Sequence, residues 1–176
     1  MKLLIGLVAA LVVVLLGGLM VVLSGTFNVA ATDPDSAMTE WVLHTTMRRS
    51  VAMRSSGIVP PKTFADEQAR DGFEEFNAMC ASCHGAPGRM RSAVGKGLRP
   101  RAPDLALAAR DWDSGNLFWI VKNGIKMTGM PAFGPTHDDQ TIWNIVAFVN
   151  RLPEMTPEQY RLLEEQTAGS AHAHEH

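Results

Sequence analysis

Cys80-Ala81-Ser82-Cys83-His84 constrains this chain more than any other stretch. Two cysteines three positions apart, with a histidine directly after the second, are what covalent attachment of a c-type haem requires. The thiols add across the two vinyl groups of the porphyrin, the spacing sets both sulfurs on one edge of the ring, and His84 then lies under the iron as proximal ligand. Cys80 and Cys83 are the only cysteines among 176 residues, so no spare thiol competes for another role. A zinc site is the rival reading, but it needs two further ligands at comparable spacing, and there is no second Cys-x-x-Cys; the one His-x-x-x-His, His172 to His176, lies at the far C-terminal tail. A domain built on this motif gains from the haem much of the apolar contact that a chain of this size otherwise lacks.

The chain reaches the motif through two unlike parts. Residues 3–23 are apolar and uncharged, interrupted only by Gly6, Gly17 and Gly18. Such a run spans roughly 31 Å as a helix, close to the hydrocarbon thickness of a bilayer. Lys2 and the amino terminus are the positive charges before it, which favours a cytoplasmic N-terminus and an exported remainder. A cleaved signal peptide competes, with Val29-Ala30-Ala31 as its cleavage site, though the apolar region of such a peptide is usually about 7–15 residues. The length favours a retained anchor. Export agrees with the motif, since haem is joined to the thiols on the far side of the membrane.

The expected organisation is a membrane anchor or uncleaved signal sequence over 1–31, a juxtamembrane helix and linker over 32–62, a haem domain over 63–153, and a C-terminal helix and tail over 154–176. Helical periodicity is read over residues 37–56, ending at Gly57 before Pro60-Pro61. Trp41 of this segment suits either a membrane interface or packing on the domain. A second helix over 65–79 leads into the cysteines, with Asp66 and Glu67 in its first turn. Gly72 inside it costs on the order of 1 kcal/mol relative to alanine, which close approach of another helix would justify. Short helices are expected over 104–110 and 114–122. Another over 137–152 is expected to start from Thr136 as N-cap, and a last one from Thr156-Pro157-Glu158-Gln159 with a capping-box glutamine.

A haem used for electron transfer benefits from a second axial ligand, and a thioether raises its reduction potential. Met127 and Met130, on the loop 124–135, are the candidates, with Met90 less favoured. Pro131 stiffens the backbone after Met130, and Gly129 before it permits tight approach. At this point the chain resembles the class I monohaem cytochromes c of bacterial respiratory chains, over about residues 65–153. Gly72 and Phe76 resemble the family's helix-crossing pair, with Trp143 and Phe148 as their partners. Ala102-Pro103-Asp104-Leu105 is similar to the segment whose proline carbonyl accepts from the proximal histidine. Gly129-Met130-Pro131-Ala132-Phe133 is similar to the distal ligand loop. The resemblance implies an all-α cytochrome c fold behind an N-terminal transmembrane helix, one covalent haem c, and iron ligation by His84 and Met130. A carbonyl at Pro103 would fix the imidazole and increase its donation to iron. Trp119 is a further candidate at the haem edge, through its indole N–H, or simply a packed aromatic.

Charge is divided along the chain. From His84 to Pro131 eight basic residues face three acidic ones, and from Ala132 to the end two face seven. A basic rim around the haem would steer an acidic partner surface towards it in a salt-dependent way. Solvated loop charges or propionate partners account for the same residues. His172, His174 and His176 suit a solubilising tail, or a loose metal site; His44 and His137 suit surface or capping roles. The expectation is a carrier of single electrons between respiratory complexes, tethered to the cytoplasmic membrane with its haem domain in the periplasm. It takes no small-molecule substrate, no nucleic acid, and performs no bond chemistry of its own. A dedicated haem subunit of a membrane oxidoreductase is the nearest rival, and a haem or metal sensor a more distant one.

Overall fold

The glycine at position 72 sets the main crossing of the fold. The structure, a computed structural model, describes residues 1–173, and side chains as far as Thr167. The histidine tail lies outside the described side chains and residues. Described residues form helices and no strand. They divide into two units, Met1–Asp35 and Ser36–His176. The first holds helix α1 (Lys2–Ser24), closed by Gly25 in a left-handed conformation. Its most apolar 18 residues have a mean hydropathy of 2.9, and its 23 residues are long enough to cross a membrane.

The second unit begins with α2 (Ala37–Ser55), whose first turn is closed by the Ser36 hydroxyl accepting from Thr39 N–H. α3 (Asp66–Glu75) follows, then a π turn (Phe76–Cys80) and the short α4 (Ala81–His84). Helix α3 therefore does not run to residue 79 as regular α-helix; it widens one turn before Cys80. Next come α5 (Ala93–Gly97), α6 (Leu105–Ala108) with a 3₁₀ turn (Ala109–Asp111), and α7 (Ser114–Asn123). α8 (Asp139–Val149), a 3₁₀ turn (Leu152–Glu154) and α9 (Pro157–Ala173) complete the chain.

α3 and α8 make the largest interface. A Cβ on Gly72 would lie 1.8 Å from the backbone oxygen of Asn144, so the two backbones touch there. Phe73 of α3 and Phe76, which opens the π turn, then pack on Phe148 of α8, at 5.3 and 5.1 Å between ring centroids. Trp143 turns the other way and stacks on Phe118 of α7 at 4.2 Å. It is thus a partner of α7, not of Phe76, because it immediately precedes Asn144 and so points about 100° around α8 from the face that meets α3.

α8 starts later than its pattern suggests. Thr136 is not the N-cap; its hydroxyl bonds back to Phe133 O, and Asp138 accepts from Thr141 N–H at 2.8 Å instead. α9 starts where expected, with Gln159 N–H donating to Thr156 Oγ1 (3.2 Å) and Thr156 N–H to Gln159 Oε1 (2.8 Å). That pair fixes the angle at which α9 delivers Tyr160 to the core. The ring of Tyr160 sits edge-on to Phe73, and its hydroxyl donates to Asn77 Oδ1 at 3.0 Å. Thr156→Ala is expected to destabilise the domain by about 1 kcal/mol, read as a lower denaturant midpoint with unchanged slope.

α2 packs on α7 through its C-terminal half. Val51 is buried, Asn116 donates to the buried Ser55 hydroxyl at 2.5 Å, and Arg48 lies 4.4 Å over the Trp112 ring. Met38, Trp41 and Leu43 in its first half are exposed.

Candidate haem-binding site

Cys80, Cys83 and His84 lie on one continuous stretch, the end of the π turn and α4. A π turn adds a residue to the local repeat and recurs at functional positions in helices. Here it ends on Cys80, which is buried, while Cys83 is half-buried, and both thiols are free. Burial, then the neighbouring Cys83 and Glu75, push the Cys80 thiol up to about 12. A buried environment that disfavours the thiolate is compatible with a thioether, which carries no charge. α5 crosses this turn at backbone contact, since a Cβ on Gly95 would lie 2.6 Å from Ser82 O and 2.8 Å from Cys83 Cα.

His84 is oriented by a single bond. Its Nδ1 lies 2.9 Å from the Pro103 carbonyl oxygen. A carbonyl can only accept, so Nδ1 carries the proton and Nε2 keeps its lone pair. Burial holds the imidazole below its ordinary pKa; the Pro103 bond opposes this and the Arg91 charge adds to it. The neutral ring is the form that ligates a metal. Asp104, next to Pro103, accepts from Ala106 N–H at 3.0 Å and so caps α6, which fixes the carbonyl's position.

The loop after α7 is folded around backbone and hydroxyl contacts. Gly124 takes φ +64°, and a Cβ there would lie 2.7 Å from Met130 O. Ile125 N–H donates to Met130 O (3.2 Å), Thr128 Oγ1 donates to Ile125 O (2.7 Å) and accepts from Met130 N–H (3.0 Å). The two candidate sulfurs are treated differently. Met127 takes φ 62° and is 90% exposed, whereas Met130 is half-buried and packs on the core cluster. Met90 is also exposed, at 80%. Gly129 approaches Leu98, to whose Cδ2 a Cβ would lie at 2.6 Å. The distal loop therefore meets the segment that runs from His84 to Pro103. Trp119 is half-buried on α7 and makes no ring contact or side-chain hydrogen bond among the described residues.

These residues fit a covalent haem: two free thiols on one turn, an imidazole with its Nε2 unengaged, and a second loop presenting a partly buried thioether. Fold and site define a monohaem c-type cytochrome domain, with haem c and its iron as cofactor. Residues 67–149 match the family model described as cytochrome c oxidase, cbb3-type, subunit III. No curated protein matches the chain. The matched segment is thus a haem electron-transfer domain, and the chain carries one N-terminal helix suited to a single membrane pass.

The network behind the attachment turn had little sequence signal. Arg89 pairs with Glu164 of α9 at 3.1 Å and also donates to Asn77 Oδ1, the oxygen that Tyr160 uses. A lone tyrosine spaced three residues from Leu163 on a capped helix was the available hint.

Proposed function

We propose that this protein carries single electrons through one haem c joined to Cys80 and Cys83, with His84 and Met130 as axial ligands. The observation that carries this reading is the Nδ1–carbonyl bond from His84 to Pro103, since it aims and frees Nε2 and strengthens its donation. The bound group supplies a one-electron Fe(III)/Fe(II) couple, with two strong ligands and hence little change of geometry between states. The chain does the rest. It holds the imidazole in one tautomer, presents a thioether from a loop closed by Thr128 and Gly124, and excludes water with the Phe73–Phe76–Phe148 layer. Trp119, half-buried on α7, is assigned to the haem edge.

The haem domain faces the periplasm, held by α1 at the cytoplasmic membrane. Residues 1–31 anchor, 32–62 connect, 63–153 bind haem, and 154–176 form a helix and tail, with α2 resting on α7 within that scheme. The tether raises the effective concentration near other membrane complexes. Basic residues around the site favour redox partners with acidic docking surfaces. A second reading, a dedicated haem subunit of one oxidoreductase, is favoured by the match to a family of oxidase subunits. Stable co-purification with a membrane enzyme supports the subunit; purification as a free single chain supports the shuttle.

The test is visible absorption in both oxidation states for wild type, Met130→Ala and Met127→Ala. A far-red Met–Fe(III) band is expected in wild type and Met127→Ala and absent from Met130→Ala. The midpoint potential of Met130→Ala is expected to fall by a substantial part of the ~0.8 V that axial ligands command. Persistence of the band in Met130→Ala would move the ligand to Met127. A high-spin wild type that takes up carbon monoxide would point to sensing instead.

A further inference from the structure

Met130 lies three residues before a knot in the backbone. The Phe133 carbonyl accepts from Thr136 N–H at 3.0 Å, from His137 N–H at 2.9 Å and from the Thr136 hydroxyl at 3.2 Å. Phe133 N–H and Gly134 N–H in turn donate to Val121 O and Lys122 O, at 3.1 and 2.9 Å, so the knot ties the distal loop to the last turn of α7. His137 stands at its centre. The ring is 18% exposed and lies edge-on to Phe133 at 5.6 Å between centroids, so it is held within the turn and not on the surface. Asp138, not His137, caps α8.

The two ring nitrogens face different elements. Nδ1 lies 3.3 Å from Phe133 O and 2.8 Å from Thr136 Oγ1, while Nε2 lies 3.7 Å from Glu75 Oε2. Glu75 ends α3, directly before the π turn that carries Cys80. A carbonyl and a carboxylate only accept, so both contacts are favourable together only when each nitrogen carries a proton. The Thr136 hydroxyl can donate to a bare Nδ1, but only by withdrawing its single proton from Phe133 O. Loss of a proton from either nitrogen therefore breaks the bridge between Phe133 and Glu75. The charged groups against the ring are Glu75 from α3 and Asp138 from α8, and Lys122 of α7 is itself paired with Asp139. We infer that His137, as an imidazolium, is a positioning residue for the axial thioether, bridging the Met130 loop at Phe133 to α3 at Glu75.

The inference rests on Met130 as an iron ligand, so the far-red Met–Fe(III) band is recorded with every measurement. Full-length haem-loaded protein in detergent is titrated with azide, which competes with a thioether for Fe(III), at constant ionic strength. The titration is repeated from about pH 5.5 to 8, the range in which histidine changes charge. Azide affinity of wild type is expected to rise about tenfold with pH as the bridge opens, the equivalent of one hydrogen bond to a charged group. Electrostatics alone gives the opposite sign, because loss of the positive charge at His137 makes the site less attractive to an anion. His137→Gln is expected to bind azide at every pH as wild type does at the highest, with no step. Glu75→Gln keeps the ring but removes the carboxylate that favours its charged form, so its step is expected at a lower pH than in wild type. Wild-type affinity that stays flat or falls with pH overturns the inference alone, as does a rise that persists in His137→Gln. Should His137→Gln not accumulate with haem, a step in Glu75→Gln at the wild-type pH overturns it instead. A wild type without the Met band, or a band that survives Met130→Ala, overturns the ligation reading and this inference with it.

Discussion

Gly72→Ala is expected to destabilise the haem domain by more than about 3 kcal/mol, beyond the usual range for an added methyl group in a core. Two opposing effects meet at this position. Alanine in a helix interior is favoured over glycine by about 1 kcal/mol, so propensity alone predicts stabilisation. The added Cβ, however, would lie 1.8 Å from Asn144 O, 2.4 Å from Asn144 C and 2.9 Å from Ile145 N, all backbone atoms of α8. A flexible side chain could swing aside; a helix backbone cannot. The helices must part until that gap reaches ordinary contact, and the motion pulls Phe73 and Phe76 away from Phe148. Each ring so displaced loses close-packed neighbours. Gly97→Ala provides the contrast, because nothing lies within 4 Å of a Cβ there. Denaturant unfolding of the two variants beside wild type should show Gly97→Ala near wild type and Gly72→Ala far below it. Equal midpoints for all three would mean that the α3–α8 crossing is looser than its geometry implies.

Features governed by short-range chemistry were legible in the sequence. The attachment motif and the Thr156–Gln159 box each declare their role within a few residues, since spacing alone sets what they can contact; Gly72 by itself declared only a close approach, and its partner Asn144 lies 72 residues on. The Pro103 carbonyl was readable only through its neighbours' resemblance to a known segment, as nothing in an Ala-Pro-Asp run specifies a bond to a histidine nineteen residues earlier. Long-range choices were less visible. Trp143 could equally have faced α3 or α7, because the apolar arc of α8 is wide enough to bury against both. The π turn before Cys80 left no trace in composition. Thr136 and Asp138 are both good caps; the choice fell to Asp138 because the Thr136 hydroxyl is drawn back to Phe133 O by the preceding turn.

The packing of α2 illustrates the same division. Its period identifies a helix, yet the side that buries Val51 and Ser55 carries no long apolar stripe. Docking relies instead on specific contacts to α7 and the turn before it: Asn116 to Ser55, Arg48 over Trp112, and Arg48 to Asp111 O at 3.3 Å. Gly115 contributes by its lack of a side chain, since a Cβ there would come within 3.2 Å of Ile58 O. These contacts join the segment before the haem domain to α7, whose far end opens into the Met130 loop.

Replacing both cysteines, Cys80→Ala with Cys83→Ala, is expected to convert a permanent cofactor into a dissociable one and so change the kind of stability the domain has. His84 and its Pro103 bond remain in this variant, as does the Met130 loop, so a haem can still be ligated. What disappears is the linkage that makes its binding intramolecular. A tethered group acts at an effective concentration that ordinary free haem does not reach. Without the tether, stabilisation follows RT ln(1 + [L]/Kd), and the melting temperature becomes dependent on added haem. Wild type should show no such dependence. Acid-acetone extraction should remove all haem from the double variant and none from wild type. The singles should separate the two positions: Cys80 is buried at the end of the π turn and Cys83 half-buried in α4. Loss of the Cys80 thiol also empties space beside Phe76 in the core cluster, so Cys80→Ala should melt below Cys83→Ala while both keep haem through one thioether. Haem that resists extraction from the double variant would mean that Cys80 and Cys83 are not where it is joined.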